Sequence, residues 1–275
     1  MLKRRKSISM ITSTGNEKIK NVIKCVKQSK ERKKQGVFIV EGVRMFSEIP
    51  KTYHVESFTT VKFYDNNREL FEGLKYELVS DNVMQALSDT KTPQGVFSVV
   101  KRFESDVIGQ AIKDNAGNDR TEDAPLIIAL ENIQDPGNLG TIIRTAEGAG
   151  VTGIIMSNGT VDIYNPKVVR STMGSIFRVP FTYTENLLGC IEKLNEHGYM
   201  TYSAHLQGKS FYDFDYRKPT VFVMGNEGNG LSDEICKVTN NKILIPMMGQ
   251  VESLNVATAS TVLMYEAMRQ RYSSI

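Results

Sequence analysis

Three segments of the chain combine glycines with amide and charged side chains, a pattern that suits the binding of a small polar ligand. They are ENIQDPGNLG at 131–140, MGNEGNGL at 224–231 and IPMMGQVESLNVA at 245–257. Glycines let the backbone approach a ligand closely or turn with a positive φ, and the Asn, Glu and Ser side chains add hydrogen-bonding groups. Taken singly, each segment has a simpler explanation: an Asp-Pro-Gly turn, a flexible loop and a helix cap at Ser253.

Each of these segments follows a short apolar run that predicts a β-strand. The runs lie at 126–130, 221–224 and 243–245, with a further run at 153–156. Continuous apolar runs are typical of parallel strands that are covered on both faces. Helical patterns separate them, at 139–147, 166–175, 186–196 and 254–271. The C-terminal half is therefore predicted to be a parallel α/β sheet of roughly 150 residues, with the three segments at strand ends, where such sheets bind ligands.

The N-terminal half has the pattern of a second, smaller α/β domain. Ile19, Val22, Ile23 and Val26 follow the spacing of an amphipathic helix, and Gly36 is a stop signal for it. Strand patterns follow at 36–41, 55–60, 75–79 and 96–100, and helical patterns at 43–49, 68–73 and 81–87. They predict a small α/β sandwich that ends near residue 102. Residues 104–123 are polar and rich in Gly, Asn and Asp, which predicts a linker.

Charge is distributed unevenly along the 275 residues. Residues 1–36 contain twelve Lys or Arg and two Glu, a net charge of +10, whereas the whole chain carries +3. Attraction to phosphates is the sequence-independent part of nucleic-acid binding, so this segment suggests a polyanionic partner. A solvated helix face explains the same charges without any partner, and charge alone does not decide between the two.

Several function classes lack their sequence signatures. Three separate cysteines and three scattered histidines form no disulfide framework and no CxxC site, so we expect no bound metal. There is no run of about 18 apolar residues, and no apolar segment follows the basic N-terminus, so we expect a cytoplasmic protein. The patterns GxGxxG, GxxxxGK[ST] and GxSxG are absent, which argues against a nicotinamide-dependent dehydrogenase, a nucleotide-triphosphate enzyme and a serine hydrolase.

Taken together, the three segments resemble the three motifs of the SpoU/TrmH family, in the SPOUT class of RNA methyltransferases. The matching positions of the first motif are Asn132, Asp135, Pro136, Asn138, Gly140, Arg144 and Gly150. Those of the second and third motifs are 224–228, Gly230, Leu231, 245–247, Gly249 and 253–256. The N-terminal half resembles, more loosely, the substrate-binding domain of this family, which is similar to an RNA-binding fold of ribosomal proteins.

The resemblance implies a SPOUT-type α/β methyltransferase domain that contains a deep trefoil knot and forms homodimers. S-adenosyl-L-methionine (AdoMet) would lie in the knot, and its methyl group would pass to a ribose 2′-hydroxyl of RNA. Large-subunit ribosomal RNA is the first expected substrate and transfer RNA the second, while a non-enzymatic RNA-binding or ribosome-assembly factor stays open as an alternative. The implied domains are a basic extension over 1–10, an RNA substrate-binding domain over 11–103, a linker over 104–123 and a SpoU methyltransferase domain over 124–275.

The resemblance also implies roles for particular residues. Arg144 would stabilise charge on the reacting ribose oxygen and orient a phosphate, or would accept the hydroxyl proton directly or indirectly, in a site completed by the other subunit. Asn138 and Asn255 would donate or accept hydrogen bonds around the ribose, Glu227 would orient the arginine or bind substrate, and Ser253 would fix its loop. The expected cofactor contacts are Gly225, Ile245, Met247, Gly249 and Leu254, of which Ile245 and Leu254 also suit core packing. The side chains expected to bind RNA are Lys18, Lys20, Lys24, Arg32, Lys33, Lys34 and Arg44.

Overall fold

A computed structural model describes residues 10–88, 90, 92–115 and 124–272, which divide into two compact units. The first unit contains the described residues up to Phe103 together with Tyr164–Phe177, and the second contains the remainder. The strands are β1 (Val37–Glu41), β2 (His54–Thr60), β3 (Tyr76–Val79), β4 (Val96–Lys101), β5 (Leu126–Leu130), β6 (Gly153–Ser157), β7 (Phe181–Thr184), β8 (Met200–Ser210), β9 (Thr220–Met224) and β10 (Asn241–Leu244). The α-helices are α1 (Glu17–Lys27), α2 (Ser29–Gln35), α3 (Val43–Ser47), α4 (Val61–Asn66), α5 (Asp81–Leu87), α6 (Val107–Asn115), α7 (Pro136–Gly148), α8 (Pro166–Ser171), α9 (Leu187–Glu196), α10 (Asp233–Val238) and α11 (Val256–Arg271).

The first unit is built on a four-stranded sheet of order β1-β4-β2-β3. Strand β4 is antiparallel to both of its neighbours, and β2 and β3 are parallel. The apolar face of α1, with Ile19 and Val22, packs in one core with Phe58 of the sheet and Val83 of α5. The strands predicted for the N-terminal half are confirmed, because each contains apolar residues that are buried in the sheet.

The predicted first helix is interrupted in the structure. Helix α1 ends at Lys27, Gln28 has an extended backbone with φ −127°, and α2 begins at Ser29. The apolar stripe of the sequence stops at Val26, so α2 has no apolar face of its own to continue the packing of α1.

The segment Tyr164–Phe177, which includes α8, packs within the first unit, although the sequence analysis assigned it to the C-terminal domain. The rings of Phe38 and Tyr164 have centroids 4.6 Å apart, and the guanidinium of Arg102 lies 4.5 Å from the centroid of the Tyr164 ring. Phe103 donates its backbone N–H to the Tyr164 hydroxyl at 2.8 Å. Buried aromatic contacts of this kind contribute beyond their area, so they fix the segment where they lie.

The second unit contains a six-stranded, wholly parallel sheet of order β10-β8-β9-β5-β6-β7. This confirms the parallel α/β architecture that the apolar runs predicted. Strands β7 and β8 were not predicted, because both mix polar with apolar residues. In β8, the buried Thr201 hydroxyl donates to Asn195 Oδ1 at 2.8 Å, so its polar group is satisfied inside the sheet.

Part of the predicted linker is helical. Helix α6 lies in the segment 104–123 and buries Val107 and Ala111 in the core of the second unit. The buried Tyr199 hydroxyl donates to the carbonyl of Ala111 at 2.9 Å, and burial raises the pKa of Tyr199. The linker prediction missed this helix because the segment 104–123 has only a few apolar residues among many polar ones, and those few pack against the core. Residues 116–123 and the predicted extension up to residue 9 lie outside the described residues.

Two further properties concern the described part of the chain as a whole. None of its helices combines the length and the apolar content that a membrane span requires. In the same residues, no three His, Cys, Asp or Glu side chains come together as they would around a metal ion.

Candidate active site

The three glycine-containing loops leave the same edge of the parallel sheet. Strands β5 and β9 are direct neighbours, with Leu130 opposite Met224, so the first and second loops begin side by side. The third loop follows β10 and ends at α11. The first loop runs into α7, where Asp135 is the N-cap and accepts the backbone N–H of Asn138 at 2.8 Å.

Glu227 of the second loop binds the first loop. Its carboxylate accepts the backbone N–H groups of Gln134 and Asp135, each at 3.0 Å, and the Nδ2 of Asn138 at 3.0 Å. Partial burial raises the pKa of Glu227, but the hydrogen bonds from Asn138, Gln134 and Asp135 outweigh it and leave the pKa below its usual value. The carboxylate is therefore ionised at neutral pH and holds two loops together.

Asn138 connects this pair of loops to the third. Asn255 donates from Nδ2 to Asn138 Oδ1 at 3.0 Å, and its own Oδ1 caps α11 by accepting the N–H groups of Ala257 and Thr258. We call Asn255, Asn138 and Glu227 the amide–carboxylate chain, because each donates to the next. The sequence analysis placed these three residues in one site, and they are in contact in the structure.

Asn226, which had no role assigned from the sequence, shapes the second loop. Asn226 accepts the N–H groups of Gly228 and Asn229 at 2.9 and 3.0 Å, and its Nδ2 donates to the carbonyl of Asn132 at 2.8 Å. A Cβ at Gly225 would collide with the backbone of the facing strand of this loop. Asn226 stood in a matched motif, but its amide interactions were not readable from spacing.

The first loop is held by a second group of polar contacts. Asn132 has a left-handed backbone with φ 57°, which Asn adopts more readily than most residues. Its N–H donates to Ser157 Oγ at 2.9 Å, and Gln134 Nε2 donates to the carbonyl of Gly159 at 2.6 Å. The loop after β6 therefore supports the loop after β5, which no sequence signal indicated.

Arg144 lies apart from the amide–carboxylate chain. Its side chain is exposed on α7 and makes no hydrogen bond or ion pair with another described residue. Six residues of α-helix separate it from Asn138, a rotation of about 240°, so the two side chains leave different faces. Within one chain, Glu227 therefore orients Asn138 and the first loop, and the expected contact between Glu227 and Arg144 is not formed.

The third loop is open along most of its length. Ile245, Met247 and Leu254 are half-buried, and Gly249 is exposed. Between 247 and 254 the loop forms no backbone hydrogen bond to the rest of the described chain. Ser253 is exposed and forms no hydrogen bond to a described residue either. The role of Ser253 in fixing this loop stays a prediction, and the hydrogen bonds seen at this end of the loop are those of Asn255.

The residues expected to bind RNA do not share one environment. Arg32 is only 3% exposed, and its NH1 donates to the carbonyls of Cys25 and Val26 at 3.0 and 3.2 Å. The prediction that Arg32 binds RNA is therefore wrong, because its guanidinium is buried at the junction of α1 and α2 and is hydrogen-bonded to the end of α1. Lys18 forms ion pairs with Glu56 and Glu77 at 3.1 and 2.5 Å.

The other predicted cations remain at the surface. Lys20 is paired with Glu17 at 2.9 Å across one helical turn, an interaction of small energy at an exposed site. Three exposed lysines and one arginine have no ion pair in the described residues: Lys24, Lys33, Lys34 and Arg44.

Comparison with known proteins gives matches to both units. Residues 125–265 match the SpoU rRNA Methylase family and residues 16–98 an MRM3-like substrate binding domain. The chain is 33% identical to an uncharacterized tRNA/rRNA methyltransferase of Synechocystis, over 97% of this chain and 96% of the relative. It is 31% identical to the 23S rRNA (guanosine(2553)-2′-O)-methyltransferase RlmP of Bacillus subtilis, over 94% and 98%. The crystal structure of an AdoMet-bound rRNA methyltransferase from Sinorhizobium meliloti has a TM-score of 0.81 and 28% identity, covering 95% of this chain and 97% of that one.

Proposed function

Because the chain belongs to the SpoU rRNA methylase family, we propose that it transfers a methyl group from AdoMet to a ribose 2′-hydroxyl of 23S ribosomal RNA. The observation that carries this proposal is the amide–carboxylate chain, which joins the three motif loops at the edge of a parallel sheet. Such edges are where open α/β sheets bind their ligands. A cytoplasmic location, where ribosomal RNA is available, completes the proposal.

The residues of the second and third loops fit AdoMet. Gly225 has no room for a side chain, so the backbone itself forms the surface there. The half-buried Ile245, Met247 and Leu254 offer apolar contacts for the adenine ring and the aliphatic carbons of AdoMet, and the unpaired backbone from 247 to 254 offers donors and acceptors. When bound, AdoMet supplies a methyl group already activated on a sulfonium. The deep trefoil knot expected around this site is part of the same proposal.

The protein's own contribution to the reaction is positioning and charge stabilisation. We assign Asn138 and Asn255 to the ribose, because their amides lie side by side and are held in fixed orientations by Glu227 and by the start of α11. The 2′-hydroxyl is a weak acid, so negative charge develops on its oxygen as its proton passes to solvent water during attack on the methyl group. A guanidinium is a strong hydrogen-bond donor that stays protonated, and Arg144 would stabilise that charge.

In a homodimer, the second subunit would supply the arginine that each active site lacks. Arg144 is exposed and faces away from Asn138, so an arginine from a second copy would complete each site. The third loop also exposes the apolar side chains of Met248 and Val251, which a second copy would cover. Two-fold dimers place the same residue twice, once in each site.

The test is methyl transfer to RNA with and without Arg144. We expect radiolabel from AdoMet to appear in 2′-O-methyl nucleosides of unmodified 23S rRNA, with transfer RNA as the comparison substrate. Arg144→Ala should reduce turnover at least 100-fold while AdoMet affinity changes less than threefold, because the side chain acts on the ribose and not on the cofactor. Label in transfer RNA alone would correct the substrate, and no label with bound AdoMet would contradict the proposed activity.

Mixing two inactive variants tests whether Arg144 acts across subunits. In dimers of Arg144→Ala with Asn138→Ala, one of the two sites has both side chains intact. After random exchange of subunits, about a quarter of the wild-type activity should return. Activity that stays at the level of the separate variants would show that both side chains act within one chain.

A further inference from the structure

A cleft lies in the first unit, between the junction of β2 with α4 and the start of α5. Its volume is about 400 Å³, within the range of about 300–1,000 Å³ that is usual for small-ligand sites. The buried Met84 and the half-buried Phe63 and Pro93 give it an apolar lining. None of the cations expected to bind RNA lines this cleft.

Tight backbone packing holds the cleft in one shape. Gly95 has φ +87°, and a Cβ at this position would come within 2.9 Å of both Phe63 Cβ and Thr60 Oγ1. The carbonyl of Gly95 accepts the N–H of Thr60 and the hydroxyl of Thr59, each at 3.0 Å. On the opposite side, Gln85 Nε2 donates to the carbonyl of Thr90 at 3.2 Å. A ligand would therefore meet a largely preformed site, which lowers the cost of ordering it.

The rim of the cleft offers neutral hydrogen-bonding groups and one cation. Lys62 and Asn66 lie on α4 and are exposed, and their side chains form no hydrogen bond or ion pair within the described part of the chain. An Asn amide both donates and accepts. The charged groups of the lining are Lys62 and Asp81, one of each sign, so the cleft is not built for a polyanion. An apolar interior with a free amide at its rim suits a flat heteroaromatic ring.

We propose that this cleft receives one unpaired nucleobase of the RNA substrate. Phe63 and Met84 would contact the face of the base, Asn66 its polar edge and Lys62 the adjoining phosphate. Sequence-specific binding of RNA uses this combination of apolar contact and edge recognition on unstacked bases. All lining residues fall within 16–98, the range that matches a substrate binding domain. The inference rests on the proposed function, because the ligand is the same RNA.

Binding of 23S rRNA, transcribed without modifications, tests the cleft separately from catalysis. We expect Asn66→Ala to weaken binding about tenfold, equivalent to one lost hydrogen bond, without changing the salt dependence. Lys62→Ala should weaken binding and lower the slope of log affinity against log salt by about 0.7, the value for one phosphate of a single strand. Lys101→Ala is the matched control, because Lys101 is exposed at the end of β4 and does not line the cleft.

Methyl transfer on the same RNA separates the two possible failures. If the wild-type protein methylates 23S rRNA but Asn66→Ala binds it equally well, the cleft is not a base site and the proposed function stands. If the wild-type protein methylates no RNA, the proposed function fails, and the binding series alone decides about the cleft. Asn66→Asp, which replaces the amide donors by a carboxylate, should weaken binding at least as much as Asn66→Ala and serves if the alanine variant is unstable.

Discussion

Asn138 has two roles that only an amide side chain can fill at once. It donates to Glu227 and accepts from Asn255, each at 3.0 Å. An aspartate would place a second carboxylate beside Glu227, and a leucine of the same size would remove the hydrogen bonds to both Glu227 and Asn255. Asn138 therefore serves the geometry of the loops in this chain, apart from any contact with RNA.

Glu227 makes the stability of this site depend on pH. Its pKa in the folded protein is below the usual value, so the ionised carboxylate stabilises folding above the unfolded pKa of about 4.3. That contribution is lost as the pH falls through the lower, folded pKa. We expect Glu227→Gln to unfold at a lower temperature than the wild type at pH 7, by an amount equivalent to about 1 kcal/mol, and the difference to close towards pH 3.5.

Thermal unfolding between pH 7 and pH 3.5 measures this difference. Glu234→Gln is the matched control, because Glu234 is exposed on α10 and has no hydrogen bond or ion pair to the described residues. A difference for Glu227→Gln that stayed constant down to pH 3.5 would show that the carboxylate charge does not stabilise the loops.

At the scale of the elements, a buried and an exposed basic residue are neighbours in α2, close to its junction with α1. Arg32 is buried against the last carbonyls of α1, whereas Lys33, its neighbour, is exposed. We expect Arg32→Met to cost about 1–3 kcal/mol of stability, because it leaves two buried carbonyls unpaired. Lys33→Met should leave stability unchanged and weaken RNA binding with a smaller salt slope. Denaturant unfolding and RNA titration of both variants check this, and equal stability of the two would refute the structural role of Arg32.

Sequence patterns predicted the elements with apolar faces and missed those stabilised by polar contacts. Strands β5 and β9 were readable because every residue in them is buried and all but Thr220 are apolar. Strand β8 was not, since its interior contains Thr201 and Ser203, whose hydroxyls donate to Asn240 and Asn241, almost forty residues further along the chain. The same holds for the site: family motifs indicated Asn138, Glu227 and Asn255, but their mutual contacts, and the burial of Arg32, depend on the three-dimensional arrangement.

At the scale of the whole molecule, Arg271 holds the last helix to the sheet of the second unit. This buried guanidinium donates to the carbonyls of Ala124, Pro125, Tyr216 and Lys218, just before β5 and β9. Burial lowers the pKa of Arg271 to about 10. We expect Arg271→Met to lower the free energy of unfolding by about 2–3 kcal/mol, as measured by denaturant titration. Arg269→Met, which removes an exposed arginine of the same turn, should cost less than half as much; equal losses would contradict this role.

The composition of the first unit has a consequence for synthesis on the ribosome. Phe38, fully buried, packs against Phe103, Tyr164 and Phe177, and residues 164–177 are translated only after 104–163. At about 5–20 residues per second, the ribosome needs several seconds for the intervening stretch. During that interval the nascent first unit lacks part of its aromatic core. The emerging chain thus presents an apolar surface to chaperones until the later segment arrives to cover it.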